Sequence, residues 1–155
     1  MSKLKEADFY YGAVLSNLIN NHICPALIEG GSDRQVYDFT TDEKDFRLFV
    51  KYRSASIKTK TEDYTSWQFV FSDADIQELR EYCGQDSHFS LGLICGESPM
   101  NQSQYAVLHK EEILQLLEWG KSSITLSIKK GEHAFRLSVG GGRDNAMQIP
   151  ANRKY

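Results

Sequence analysis

The sequence predicts an α+β domain: a central mixed β-sheet flanked by helices, with a β-hairpin near the C-terminus. Three observations predict it. Segments whose apolar residues alternate outnumber segments whose apolar residues recur every three or four positions, so strands outnumber helices. The two kinds of segment do not alternate strictly, which sets the chain apart from doubly wound folds. Two alternating runs late in the chain flank a turn that contains glycine, the mark of a hairpin.

The first element is a helix. Tyr11, Val14, Leu15, Leu18 and Ile19 form one apolar stripe, and Asn20-Asn21 with Pro25 end it. Ala26-Leu27-Ile28 makes a short strand that stops at Gly30-Gly31, and Gln35–Phe39 has strand composition. Thr41-Asp42-Glu43-Lys44 supplies the turn into Phe46–Tyr52, the clearest strand of the first half. Its alternation places Leu48, Val50 and Tyr52 on one face and Arg47, Phe49, Lys51 and Arg53 on the other. Residues 54–66 are polar and read as loop. Trp67–Phe71 reads as a strand, and Ser72 then caps a helix, with Asp75 reaching back to the cap. That helix carries Ile76, Leu79 and Tyr82, and Gly84 stops it.

Phe89–Cys95 is continuously apolar, as a buried strand is, and Tyr105–Leu108 is short and strand-like. Glu111–Trp119 reads as a helix with Ile113, Leu114 and Leu117 inward. The hairpin follows: Ile124, Leu126 and Ile128 alternate, Lys130-Gly131-Glu132 turns, and Phe135, Leu137 and Val139 alternate in return. Gly140-Gly141-Gly142 ends it, and the last dozen residues read as a polar tail.

The length of 155 residues is that of one domain spanning 1–155, and it suffices for a core without disulfides or metal. A net charge of −3 gives no global attraction to nucleic acid, so any such binding has to rest on a local patch. Cys24, Cys83 and Cys95 lie too far apart for a zinc or thioredoxin-like motif and read as reduced thiols. No apolar run reaches the length of a membrane span and the start has no apolar signal core, so a cytoplasmic location is expected. His22, His88, His109 and His133 show no ligand spacing, and no nucleophile elbow or phosphate loop occurs.

Two features carry chemistry. Between Phe46 and Thr61 there is no acidic residue, while Arg47, Lys51, Arg53, Lys58 and Lys60 accumulate beside Phe49 and Tyr52. Cations neutralise phosphates and aromatic rings stack on bases, so this span is a candidate surface for DNA or RNA. The alternative is a solvated edge strand whose charges block aggregation. The second feature is Asp38 on one arm of the first hairpin and Lys51 on the other. Brought together, a carboxylate would hold a hard cation such as magnesium and a lysine would orient the water that it activates. The alternative is a surface ion pair of small energetic value.

The stretches Val36-Tyr37-Asp38-Phe39, Phe46–Ser54 and Phe89–Gly96 resemble a bacterial branch of the restriction-endonuclease-like, PD-(D/E)xK superfamily. The order helix, strand, strand with Asp38, strand with Lys51, helix, strand is similar to that superfamily's core over roughly residues 6–120. The resemblance implies a metal-dependent phosphodiesterase with Asp38 and Lys51 as catalytic residues and magnesium as cofactor. Phe49 stands where the superfamily carries its second acid, and Tyr37 where it carries a proline. Glu29, at the end of the first short strand, or Glu6, at the start of the first helix, would then be the substitute metal ligand. The functional expectation is a nuclease-like protein with a degenerate centre. The alternative is a non-enzymatic domain that binds nucleic acid, or a protein partner as an adapter or immunity-type module.

Overall fold

A computed structural model describes residues 3–42, 44–58, 63–85, 88–138, 146–153 and 155. Helix α1 (Glu6–Asn20) precedes strands β1 (Ala26–Glu29), β2 (Gln35–Thr40) and β3 (Asp45–Arg53). Then come β4 (Ile57–Lys58), β5 (Tyr64–Val70), helix α2 (Asp73–Cys83), β6 (His88–Cys95), β7 (Gln104–His109) and helix α3 (Lys110–Trp119). Strands β8 (Ser123–Lys129), β9 (Ala134–Ser138) and β10 (Met147–Pro150) close the chain. The fold is α+β, as the patterning predicts. Among the described residues no helix is long and apolar enough to cross a membrane.

The described strands form two five-stranded sheets. The first has the order β1-β2-β3-β6-β7, and the second β10-β9-β8-β5-β4. In the first, β1, β2 and β3 form an antiparallel meander, β6 runs parallel to β3, and β7 runs antiparallel to β6. The sheet is therefore mixed. A parallel neighbour requires a crossover. Here the chain leaves β3, lays β4 and β5 into the second sheet, and returns through α2.

Alternation along β3 sorts the interior into two cores. Leu48 and Val50 lie fully buried against Tyr10, Tyr11, Val14 and Leu18 of α1. Tyr52 joins them, stacked on Tyr10 with ring centroids 4.9 Å apart. Each such apolar side chain contributes roughly 1.5–3 kcal/mol when fully buried. On the opposite face Phe49 packs with Val36, Leu91 and Leu93, and this core continues through Leu79 of α2, Ile113 of α3 and Trp67, Phe69 and Leu126 of the second sheet. Lys51 lies on that same face, two residues beyond Phe49.

Several expectations need correction. The polar stretch 54–66 is not all loop, because β4 lies within it and β5 begins at Tyr64. Polar composition hid this, since Ile57 and Lys58 are exposed on an edge strand and only half of β5 faces the core. The tail is not irregular either: β10 pairs antiparallel with β9, with Ile149 fully buried opposite Phe135. On α3 the inward residue is Leu116, and Leu114 is about half exposed; on α1, Ile19 is exposed. The helical stripe is narrower than a count of apolar residues suggests. Val139 and Gly140–Gly142, like Glu43 of the first turn, lie outside the described residues.

Gly96, just after β6, joins the layers. Its N–H donates to the Arg53 carbonyl at 2.8 Å, and its carbonyl accepts from Trp67 Nε1 at 2.7 Å. A Cβ at this position would lie 2.6 Å from the Tyr10 hydroxyl and 2.9 Å from the Arg53 carbonyl oxygen, the latter fixed in the backbone. Gly96→Ala is therefore expected to cost about 1–3 kcal/mol through overpacking. The melting temperature should fall by roughly 2–4 °C per kcal/mol for a chain of this size; an unchanged melting temperature would contradict this packing.

Candidate functional site

The register of the first hairpin separates Asp38 from Lys51. Asp38 stands opposite Arg47, and Val50 opposite Gln35. Asp38 and Lys51 share a face of the sheet but lie four residues apart along the strands, about 13 Å at the rise of a β-strand. The expected convergence of the two is therefore overturned by pairing geometry. Asp38 instead accepts two hydrogen bonds from its cross-strand neighbour, from Arg47 Nε at 2.7 Å and Nη2 at 2.8 Å. Arg47 also donates to Gln85 at 3.1 Å and lies 4.8 Å over the Tyr82 ring.

Lys51 points beneath α2, and only 8% of its surface is exposed. Its Nζ lies 2.9 Å from Asp75 Oδ2 and 5.7 Å from the centre of the Phe71 ring. Asp75 reaches this place because Ser72 caps α2: Asp75 N–H donates to Ser72 Oγ, and Ser72 N–H donates back to Asp75 Oδ2, both at 3.0 Å. The remaining oxygen, Oδ1, accepts from Arg34 Nη1 at 2.6 Å. Asp75 is 2% exposed and its carboxylate accepts three hydrogen bonds. Burial pushes its pKa up, but the bonds from Lys51, Ser72 and Arg34 outweigh burial and hold the carboxyl below its ordinary value.

Arg34, between β1 and β2, extends the network. Its Nε and Nη2 donate to Glu29 Oε1 at 3.1 and 2.9 Å. Glu78 Oε2, one helical turn beyond Asp75, lies 2.8 Å from the same Nε. That oxygen is buried and accepts no hydrogen bond, because the N–H points at Glu29 rather than at it. Burial and the neighbouring Glu29 carboxyl raise the Glu78 pKa to about 7. Of the expected site residues, Glu29 and Lys51 thus enter one cluster, joined through Arg34 and Asp75.

The expected basic surface is dispersed. Arg47 is bound to Asp38 and Lys51 to Asp75. The Lys58 ammonium is exposed and 3.6 Å from Glu97. Lys60 lies outside the described residues. Arg53 is exposed and lines a hollow of about 280 Å³ with Lys51, Glu6, Ser32 and Asp33. Glu6, the second substitute ligand, therefore sits at this hollow together with acids and cations of other elements.

The donor set does not fit magnesium well. A hard cation takes several oxygens, yet both oxygens of Asp75 are already engaged by cations and Asp38 is held by Arg47 at the far end of the hairpin. Among the described residues no group of three or more His, Cys, Asp or Glu side chains is placed to hold a metal ion. Arg34, Asp75 and Glu78 were not legible as site residues. The capping pattern Ser72-x-x-Asp75 identified the local role of Asp75, but nothing in the sequence pairs it with Lys51, and Arg34 stands alone in a polar turn. No family model, curated protein or solved structure matches the chain.

The network predicts an asymmetry between its two ends. Asp75→Asn leaves the Lys51 ammonium buried without a counter-charge and should cost about 3–5 kcal/mol. Lys51→Met keeps the apolar stem and leaves Asp75 bound by Arg34 and Ser72, so its cost should be about 1–2 kcal/mol. Urea unfolding at neutral pH measures both, and equal costs would contradict the geometry.

Proposed function

We propose that this chain is a nuclease-like domain whose metal centre has given way to a structural ion network, and that it acts by binding rather than by hydrolysis. The observation that carries this reading is the Lys51–Asp75 pair at 2.9 Å, with Asp75 also bound by Arg34. A lysine that orients water or stabilises a phosphate in the transition state must face the substrate. Lys51 is instead neutralised beneath α2. The resemblance around Asp38 and Lys51, together with the helix–three strands–helix–strand order, supports the ancestry. Phe49, wholly buried in the core, supports the loss of the centre.

Nucleic acid is the ligand class that this ancestry suggests. Of the expected patch, Arg53 and Lys58 are the exposed cations among the described residues, so affinity should be weak and fall with salt at a shallow slope. A protein-adapter role is the second reading, and one observation favours it. Strand β1 ends its sheet, and Leu27 and Ile28 on it are about half exposed or more. An apolar edge of this kind can accept an added strand from a partner.

The test is incubation with single- and double-stranded DNA and RNA in magnesium or manganese. The expected result is no cleavage above the background of a Lys51→Ala, Asp38→Ala protein. Robust cleavage that disappears in either single variant would overturn the proposal and establish an enzyme.

A further inference from the structure

The network around Arg34 sets three carboxylates, Glu29, Asp75 and Glu78, against two cations, Arg34 and Lys51. Asp75 takes a hydrogen bond from each cation and one from the Ser72 backbone. The surplus negative charge therefore falls on Glu29 and Glu78. Both present an oxygen to the same Arg34 Nε, Glu29 Oε1 at 3.1 Å and Glu78 Oε2 at 2.8 Å, and one N–H cannot serve two acceptors fully. The loser, Glu78 Oε2, is buried with no hydrogen bond. Two carboxylates converging on one N–H repel each other, and like charges at short range cannot both ionise cheaply.

We propose that Glu29 and Glu78 share one proton across Arg34, and that losing it loosens the clamp between edge strand β1 and helix α2. The consequence follows from topology. Glu29 ends β1, which pairs only with β2 among the described strands, and Glu78 belongs to α2. Their contact through Arg34 ties the edge strand to the helix. The charged and titratable groups around Glu78 come from every neighbouring element. Glu29 comes from β1, Arg34 from the β1–β2 connection, and Lys51 from β3 by way of Asp75. Asp75 and Tyr82 belong to α2 itself, and Arg47 of β3 is stacked on Tyr82.

The sign follows from linkage. Burial first, and Glu29 second, raise the folded-state pKa of Glu78 from 4.5 to about 7. The folded chain thus holds a proton over a pH range in which the unfolded chain has released it. The stabilisation is fully present below the ordinary glutamate value and is lost as pH rises towards 7. Asp75 works in the opposite direction, because its pKa is lowered: its contribution is present above the ordinary aspartate value and is lost on acidification.

The experiment follows the side-chain carboxyl carbons by NMR between pH 4 and 8.5, with melting temperatures over the same range, for the native chain, Glu78→Gln and Glu29→Gln. One glutamate carboxyl should titrate near neutral pH in the native chain and vanish in Glu78→Gln. Between pH 5.5 and 8 the native melting temperature should fall by about 3–6 °C more than that of Glu78→Gln, which carries a neutral amide in place of the shared proton. Amide exchange of Leu27–Glu29, referenced to the unfolded-chain rate at each pH, should accelerate above pH 7 only in the native chain. Should Glu78→Gln not fold, Glu29→Gln gives a second reading: without the neighbouring carboxylate the Glu78 midpoint should move down towards the ordinary glutamate range, with burial still opposing its ionisation. The proposal is overturned if every glutamate carboxyl of the native chain titrates below about pH 5.5, if Glu78→Gln matches the native slope of melting temperature against pH, or if the exchange of β1 is indifferent to pH.

Discussion

An ammonium group cannot lie beneath a helix in an apolar core without a carboxylate within reach, and the placement of Lys51 imposes that condition on everything around it. Strand β3 supplies the lysine on the face that also carries Phe49. The counter-charge has to come from above, and α2 provides it at the one position where its own N-terminal cap has already fixed an aspartate. The capping box and the ion pair use the same carboxylate, so the start of α2 and its seating on the sheet are a single constraint. Arg34 then binds the other oxygen of Asp75 and brings Glu29 and Glu78 with it.

This arrangement differs in kind from the Asp38–Arg47 pair on the same sheet. There a bidentate bond joins cross-strand neighbours at a site where the Asp38 side chain is 38% exposed, and such pairs contribute little to stability. Around Asp75, desolvation makes the net worth of the charges small compared with well-packed apolar residues, yet it makes removal of the Asp75 carboxylate costly, because Lys51 is then buried without a counter-charge. The network holds the Lys51 ammonium 2.9 Å from Asp75, beneath α2.

The sheet-forming segments were legible wherever one face meets the core. The alternation of Leu48 and Val50 against Phe49 placed β3 and both of its faces correctly, the Ser72–Asp75 cap marked the start of α2, and the glycine turn gave the β8–β9 hairpin. Strands that are short, at an edge or half polar were not legible: β4, the first residues of β5, and β10 after an uninformative stretch. Nor did the sequence reveal that the strands divide between two sheets, since that depends on the chain leaving the first sheet after β3. The expected meeting of Asp38 and Lys51 was misplaced for a related reason. Asp38 and Lys51 were paired by hairpin proximity, but the register, which the turn length fixes, sets them four residues apart. Glu29 did join Lys51's cluster, through Arg34 and Asp75, which come from segments distant in sequence.

The central claim is that Lys51 and Asp75 are bound to each other as parts of the fold. A double-mutant cycle on stability, with Lys51→Met, Asp75→Asn and the combined variant, measures that bond directly. The account predicts a coupling of about 2 kcal/mol, with the double variant distinctly more stable than the sum of the single losses implies. A coupling below about 0.5 kcal/mol, the additivity of independent sites, would contradict it.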